Sequence, residues 1–260
     1  MKNSKAMVAC RQREILEYLR LHGESEVNDL AREFQVTPTT IRRDLTLLEG
    51  KKLISRCFGG ARCLDGADNT EEIIPTNIRD EKEFIRREIA KAAAVKVCDG
   101  DILFMNSSAT ASLVLEYLGD KNVTVITNNS LAVGMPKGSR TQLILTGGMV
   151  YGKKQSLVGE FAHDTISKIT ATKCILGVSG IDAKGGMTSR ILQETTINRL
   201  MLKRCSGEKI VVAEGSKIGV THSFYSSGVD DITHLITDSS ASEQALTELR
   251  RAGVIVELAD

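Results

Sequence analysis

The sequence predicts an α/β protein: a Rossmann-like, mostly parallel sheet covered by helices, with a small winged helix-turn-helix ahead of it. Three observations carry this. From Asp99 onward, short continuous apolar runs alternate with helical runs, as strands buried on both faces require. The opening residues instead hold three short amphipathic helical patterns and a Gly-Gly hairpin signal at Gly59-Gly60. Between the two lies a polar, acidic stretch with one of only three prolines, which reads as a linker. The expected division is residues 1–62 for the head, 63–78 for the linker and 79–260 for the body.

Composition sets the bounds. The 260 residues are 42% hydrophobic but only 4% aromatic, with no Trp, so the core is aliphatic. The net charge is +1, unevenly spread: residues 1–62 hold 12 Lys and Arg against 8 Asp and Glu, a net of +4, leaving −3 for the remainder. A basic head on a mildly acidic body fits a nucleic-acid contact confined to one end. Six Cys (10, 57, 63, 98, 174, 205) and four His are scattered without metal-ligand spacing, so they read as free thiols and no cofactor is expected. There is no apolar run long enough for a membrane span and no hydrophobic signal core, so a cytoplasmic location is expected.

Along the head, Arg11 to Leu21 is an amphipathic helix with Ile15, Leu16 and Leu19 on one face. Ser25 is the expected cap of a second helix that buries Leu30, Ala31 and Phe34. After a turn at Gln35-Val36, Thr37 caps a third helix and Pro38 takes its first position, where a missing N–H does no harm. Ile41, Leu45 and Leu48 form its buried stripe, so Thr39, Arg43 and Thr46 face outward, with Thr40 and Arg42 on the flanks. Gly50 is placed to end the helix in a left-handed cap. Lys51, Lys52 and a hairpin holding Leu53, Ile54 and Phe58 follow. A short helix with an outward Thr/Arg face and a basic hairpin suits entry into a major groove.

The body opens with a helix over Arg79 to Val97 whose expected apolar side is Phe84, Ile85, Ile89, Ala92 and Ala93. Strands are expected at DGDILFM, VTVITN, TQLILTGG, KCILGVSGID, KIVVAEG, HLITD and VIVEL. Helices are expected at SLVLEYLG, at SLAVGM and from Ser242. The strands end in Asn, Gly, Asp or Ser, as where a ligand crevice forms at their carboxyl ends.

Taken together, RQREILEYLRLHGESEVNDLAREFQVTPTTIRRDLTLLEGKKLISRCFGGA resembles the winged helix-turn-helix of the DeoR family of bacterial transcriptional regulators, most specifically in Thr40 to Leu45 and Gly59-Gly60-Ala61. The resemblance continues to the end of the chain. It implies that Arg42 and Arg43 contact operator DNA, that Thr37, Thr39 and Thr40 add phosphate or base contacts, and that Arg56, Lys51 and Lys52 hold backbone phosphates. The body resembles that family's sugar-phosphate sensor, related in fold to ribose-5-phosphate isomerase and glucosamine-6-phosphate deaminase. The positions that match are Thr127 to Asn129, Thr146 to Gly148, Gly177 to Asp182 with Gly186, Thr188 and Glu194, and Ser216-Lys217. The resemblance implies effector contacts from Ser108, Thr110, Asn128, Gly147, Gly148, Asp182, Gly186, Glu194 and Lys217.

One stretch departs from the family. Where its sensors usually read Asp-x-Gly-Ser-Thr-Thr, this chain has Met105, Asn106, Ser107, Ser108, Ala109 and Thr110, and Glu214-Gly215 replaces a more usual Asp-Ser. Gly147 to Lys153 matches the GxxxxGK phosphate loop, but Lys154 replaces the Ser or Thr that would hold Mg²⁺, so an NTPase is not expected. The expected function is a sequence-specific DNA-binding regulator: a repressor of a carbohydrate-utilisation operon, released by a phosphorylated sugar. A homodimer or tetramer follows from operator symmetry. The alternatives are a sugar-phosphate isomerase or deaminase with an added head, and a regulator whose pocket has lost its ligand.

Overall fold

A computed structural model of the chain describes residues 8, 11, 12, 14–16, 18, 19, 23–50, 53–57, 59–63, 76–152 and 154–259. It divides into two compact units, Met1–Lys82 and Glu83–Asp260.

In the first unit, helix α1 is described at positions 8, 11, 12, 14–16, 18 and 19. It is followed by β1 (Glu24–Glu26), α2 (Val27–Glu33), α3 (Pro38–Gly50), β2 (Ile54–Cys57) and β3 (Gly60–Cys63). Ile15, Leu16 and Leu19 of α1 pack with Leu30 and Ala31 of α2 and with Ile41, Leu45 and Leu48 of α3. Phe34 completes the cluster edge-on to Tyr18, with ring centroids 5.8 Å apart. The three strands form an antiparallel wing in the order β1-β3-β2.

Two expected helix ends are corrected. Ser25 is no cap: it lies in β1 opposite Ala61, and the cap position of α2 falls to Glu26, with no side-chain hydrogen bond. Pairing three residues into the wing satisfies more backbone groups than one capping hydroxyl. Gly50 is the last residue of α3 and is not left-handed; Leu53 N–H closes that end on Leu48 O at 3.1 Å. The α2–α3 turn places Gln35 at φ 50, with Val36 N–H on Ala31 O at 3.0 Å, the closure a helix ending in one left-handed residue makes.

Asp44 sits on the buried side of α3 and is only 2% exposed. Its carboxylate accepts from Arg11 Nε at 2.7 Å and from Gln12 Nε2 at 3.1 Å, tying the outward-facing helix to α1.

The second unit holds a seven-stranded, wholly parallel sheet. Its strands are β4 (Ile102–Met105), β5 (Val123–Thr127), β6 (Thr141–Leu145), β9 (Lys173–Gly177), β12 (Lys209–Val212), β14 (His234–Thr237) and β15 (Ile255–Leu258). The order β15-β14-β12-β9-β4-β5-β6 runs one way from β4 and the other way from β9, so the direction of winding switches between those two strands. Helix α4 (Thr76–Val95) and the short α5 (Ala109–Leu113) contribute to the core on one face, with Leu103 and Met105. Helices α6 (Glu160–Ser167), α7 (Leu192–Lys203) and α8 (Glu243–Arg251) cover the other, with Phe104. Alternate residues of one strand thus feed two cores.

Smaller strands surround this frame. β7 (Met149–Tyr151) and β8 (Ser156–Val158) form a hairpin. β10 (Gly180–Asp182), β11 (Gly186–Ser189) and β13 (Phe224–Ser227) form a second antiparallel sheet. The run KCILGVSGID, expected as one strand, therefore splits into β9 and β10. The helix expected at SLVLEYLG begins earlier, at Ala109, and tightens to a 3-10 turn at Val114–Tyr117; SLAVGM forms only the 3-10 turn Ser130–Gly134. Phe84 is 63% exposed rather than on the apolar side of α4, whose buried residues include Ile89, Ala90, Ala93 and Ala94. Helix α4 also starts at Thr76, inside the stretch read as linker. Among the described residues, no helix is long and apolar enough to cross a membrane.

The Asp44 contact yields the first prediction. Asp44→Ala strands the largely buried Arg11 charge and costs about 3 kcal/mol, at the lower end for breaking a buried pair. Urea unfolding followed by circular dichroism measures it as an earlier first transition; an unchanged profile refutes the assignment.

Candidate functional site

The outward face of α3 is built by its cap and stripe. Thr37 Oγ1 accepts the Thr40 N–H at 3.2 Å and lies 2.9 Å from Thr40 Oγ1, so this pair is spent on starting the helix. With Ile41, Asp44, Leu45 and Leu48 turned inward, Thr39, Arg42, Arg43, Thr46 and Leu47 are exposed. Arg56 of the wing is turned onto that helix: its guanidinium donates to Arg42 O at 3.3 Å and Thr46 Oγ1 at 3.2 Å, and pairs with Glu49 at 3.6 Å. It braces wing against helix while remaining exposed at the surface. Lys51 and Lys52, also expected at the DNA, lie outside the described residues.

The second site lies at the carboxyl ends of β4 and β9, where the winding switches and α/β sheets open a crevice. Met105, the position expected to carry the lost acid, ends β4 with its side chain buried in the core. The first residue past the strand is Asn106, 5% exposed. Its amide donates to Gly177 O at 2.8 Å and Asn198 Oδ1 at 3.0 Å, and accepts from Gly177 N at 3.0 Å and Ser108 N at 3.3 Å. A carboxylate cannot donate, so only an amide makes all four bonds. Ser108 packs so closely on Gly177 that a Cβ there would come within 1.8 Å of its Oγ.

Two polar networks extend from this loop. Ser107 Oγ lies 2.6 Å from Ser156 Oγ, which donates to Glu194 Oε1 at 3.4 Å. Ser189 Oγ donates to Glu194 Oε2 at 3.2 Å, and the exposed Lys154 pairs with Glu194 at 3.6 Å. In the other network Thr110 Oγ1 donates to Glu214 Oε1 at 3.0 Å, Arg86 Nε pairs with the same oxygen at 2.7 Å, and Lys217 Nζ pairs with Oε2 at 2.8 Å. Burial works against ionisation of Glu214, but Lys217 and Arg86 overcome it and bring the pKa down to about 2. Burial pushes the Lys217 ammonium below its ordinary value; Glu214 opposes this, while repulsion from Arg86 and Lys154 adds to it.

The expected effector residues are thus only partly gathered. Thr110 and Lys217 meet at Glu214, and Glu194 anchors the serine network. Asn128 is buried; its Nδ2 donates to Leu157 O at 3.1 Å, while its Oδ1 meets no donor among the described residues. Gly147 and Gly148 form the left-handed turn after β6. Asp182 and Gly186 do another job: Asp182 Oδ1 accepts the Lys184 and Gly185 N–H groups, each at 2.9 Å, closing the β10–β11 turn. Gly186, at φ 66, lies where a Cβ would strike Ser227 O. Sequence reasoning missed Arg86, Asn106, Lys154 and Glu214 as site residues. The one signal was the unusual Glu214, whose charge demands partners once buried.

A second prediction follows. Glu214 has its pKa depressed in the fold, so its stabilisation is full above the ordinary value of 4.5 and is lost as pH falls from there toward 2. The loss is on the order of 3 kcal/mol. Melting temperatures across that range, for wild type and Glu214→Gln, measure it as a steeper acid slope in the wild type; equal slopes refute it.

Comparison with known proteins places these features. The DeoR-like helix-turn-helix domain matches residues 11–66, and the DeoR C terminal sensor domain matches residues 81–239. The chain is 31% identical over 246 residues to the HTH-type transcriptional regulator YulB of Bacillus subtilis (strain 168), covering 93% of this chain and 94% of that one. It is 31% identical over 216 residues to the glycerol-3-phosphate regulon repressor of Escherichia coli (strain K12), covering 80% and 82%. Ribose 5-phosphate isomerase A of Methanocaldococcus jannaschii aligns in structure over 52% of this chain and 54% of that one, at 15% identity and a TM-score of 0.36. With a head and a sensor both matched, and the match to YulB running nearly end to end, the chain belongs to the DeoR family of DNA-binding transcriptional regulators.

Proposed function

We propose that the protein is a cytoplasmic repressor of a carbohydrate-utilisation operon, binding a two-fold-symmetric operator as a homo-oligomer and released by a phosphorylated sugar. The observation that carries the DNA half is the exposed Thr39-Arg42-Arg43 face of α3, held outward because Asp44 is bonded on the opposite side. Arg43 faces most directly away from the buried stripe and reads a base; Arg42, on the flank, takes a phosphate or a base. A bidentate Arg–guanine pair discriminates by about 1–3 kcal/mol, while phosphate contacts add salt-dependent affinity.

The effector half rests on the crevice. Glu194 with Ser156 and Ser189 offers acceptors and donors suited to sugar hydroxyls, and Lys154 and Lys217 supply positive charge for a phosphate. One relative is by name a repressor of a glycerol-3-phosphate regulon. Release requires the effector to favour a state in which the heads no longer fit the operator, since a ligand with equal affinity for both states shifts nothing.

Two measurements test this. Gel-shift titration against the chain's own promoter region shows specific retardation, and Arg43→Ala weakens it by about 5- to 150-fold. Wild-type binding to that fragment no tighter than to unrelated DNA sinks the repressor assignment. In a thermal-shift screen, one phosphorylated sugar raises the melting temperature while its unphosphorylated parent does not; a flat response across triose, pentose and hexose phosphates removes the sensor half.

A further inference from the structure

Two thiols in the core of the second unit carry an inference beyond this assignment. Cys174 is the second residue of β9, at the end of that strand away from the crevice, and is 0% exposed. Cys205 follows the last turn of α7 and keeps a narrow opening to solvent, at 7% exposed. Both belong to the core that α6, α7 and α8 cover. The backbone fixes Cys205 on either side: Ala171 N–H donates to Arg204 O at 3.0 Å, and Ser206 N–H donates to Ala171 O at 2.9 Å. Arg204 adds bonds from Nε to Ile169 O and from Nη2 to Thr170 Oγ1, each at 2.9 Å. One carbonyl serves both cysteines, since Glu208 O accepts the Cys174 N–H at 2.9 Å and the Cys205 thiol at 3.5 Å. The two sulfurs are also hydrogen-bonded to each other. They are not equivalent. The bond from Cys174 brings the Cys205 thiol down to about 7 against the opposing effect of burial, helped by the Gly207 N–H and the Lys209 charge. Burial, and then the bond to Cys205, push the Cys174 thiol well up. Cys205 therefore holds a large thiolate fraction at neutral pH, the form that acts as nucleophile, beside a protonated Cys174.

We propose that Cys205 and Cys174 are a redox-active pair, in which a hydroperoxide oxidises Cys205 and Cys174 then closes a Cys174–Cys205 disulfide. In the first step the Cys205 thiolate attacks the O–O bond. An S–O bond forms, the O–O bond breaks, and the departing oxygen takes a proton and leaves as water or an alcohol, so that Cys205 becomes a sulfenic acid. In the second step the Cys174 sulfur attacks that of Cys205. An S–S bond forms, the S–O bond breaks, and hydroxide leaves with the Cys174 proton as water. The two thiols lose two electrons and two protons, and the peroxide gains them. The order follows from access and charge: the oxidant reaches Cys205 first, and the protonated Cys174 resolves it. Closing the sulfurs to about 2.05 Å ties the end of α7 to β9. The other end of α7 holds Glu194 and Asn198 at the crevice, so the bond restrains a helix that the crevice uses.

Two inert thiols filling the core are the competing account, and thiol mapping on the full chain separates the two. The folded, reduced protein is treated with hydrogen peroxide at a dose that oxidises the exposed Cys98, then denatured, alkylated and digested without reduction. The Cys174 and Cys205 peptides are expected to leave the alkylated pool together and to return as one linked peptide, which dithiothreitol separates. Recovery of both as alkylated thiols overturns the proposal, as does a link that forms only in urea-unfolded protein or one that joins either residue to a different cysteine. Two variants test the order of the steps. Cys174→Ala, which removes both the donor and the resolving thiol, is expected to slow oxidation of Cys205 at pH 7 by about ten-fold and to leave a sulfenic acid there that dimedone traps. Cys205→Ala is expected to leave Cys174 alkylated. Dimedone trapping at Cys174 in place of Cys205 overturns the assignment of roles. Should either variant fail to fold, the wild-type map alone decides whether the pair is redox-active.

Discussion

The side-chain amide of Asn106 joins the two strands between which the sheet changes its direction of winding. It donates to and accepts from Gly177 at the end of β9, and it holds the backbone of Ser108 in the loop leaving β4. From that one loop Ser107 reaches toward Glu194 through Ser156, and Thr110 reaches Glu214. Both acidic clusters therefore hang on the loop that this amide holds. A charged residue in its place would be half satisfied and buried, which costs more than a neutral amide with all its bonds made.

The first unit solves a related problem with a buried charge. Asp44 occupies the inner face of α3, where burial of an ion is costly unless it is paired. Arg11 and Gln12 supply the pairing, and the same contact fixes the rotation of α3 about its axis. Since successive residues around a helix share one rotation, holding Asp44 inward holds Arg42 and Arg43 outward. Arg56 then clamps the wing to the helix through Arg42 O and Thr46, so wing and helix present one surface. The exposed arginine face of α3 is thus fixed by bonds internal to the unit.

Periodicity made much of this legible. Ile41, Leu45 and Leu48 lie where their spacing put them, and the seven apolar runs hold the seven strands of the parallel sheet, because continuous apolar runs between helices leave a strong pattern. The short strands β7, β8, β10, β11 and β13 left none. Runs such as Gly186–Ser189 and Phe224–Ser227 are mostly small or polar, where main-sheet strands of the same length are mostly apolar, and their pairing comes from neighbours distant in the chain. Ser25 misled because a capping residue and a strand residue look alike until the wing partner at Ala61 is in place. Phe84 misled because one residue's rotation about α4 is decided by what the helix packs on. Asp182 and Gly186 belong to a recognisable pattern, yet their bonds close a turn.

What the sequence by itself determined was the class of protein, its two units, the outward arginine face and the polar strand ends of the sheet. These follow from local spacing, capping chemistry and composition, which operate along the chain. Only the tertiary structure decided which polar groups meet. Arg86 and Glu214 are separated by most of the second unit in sequence, Asn106 and Gly177 by two intervening strands of the main sheet, and their partnership arises from the order in which parallel strands assemble. Hydrogen bonds and ion pairs act over a few ångströms in space and carry no signature in sequence distance; the loop that departs from the family pattern acquired its meaning only when Asn106 was seen between β4 and β9.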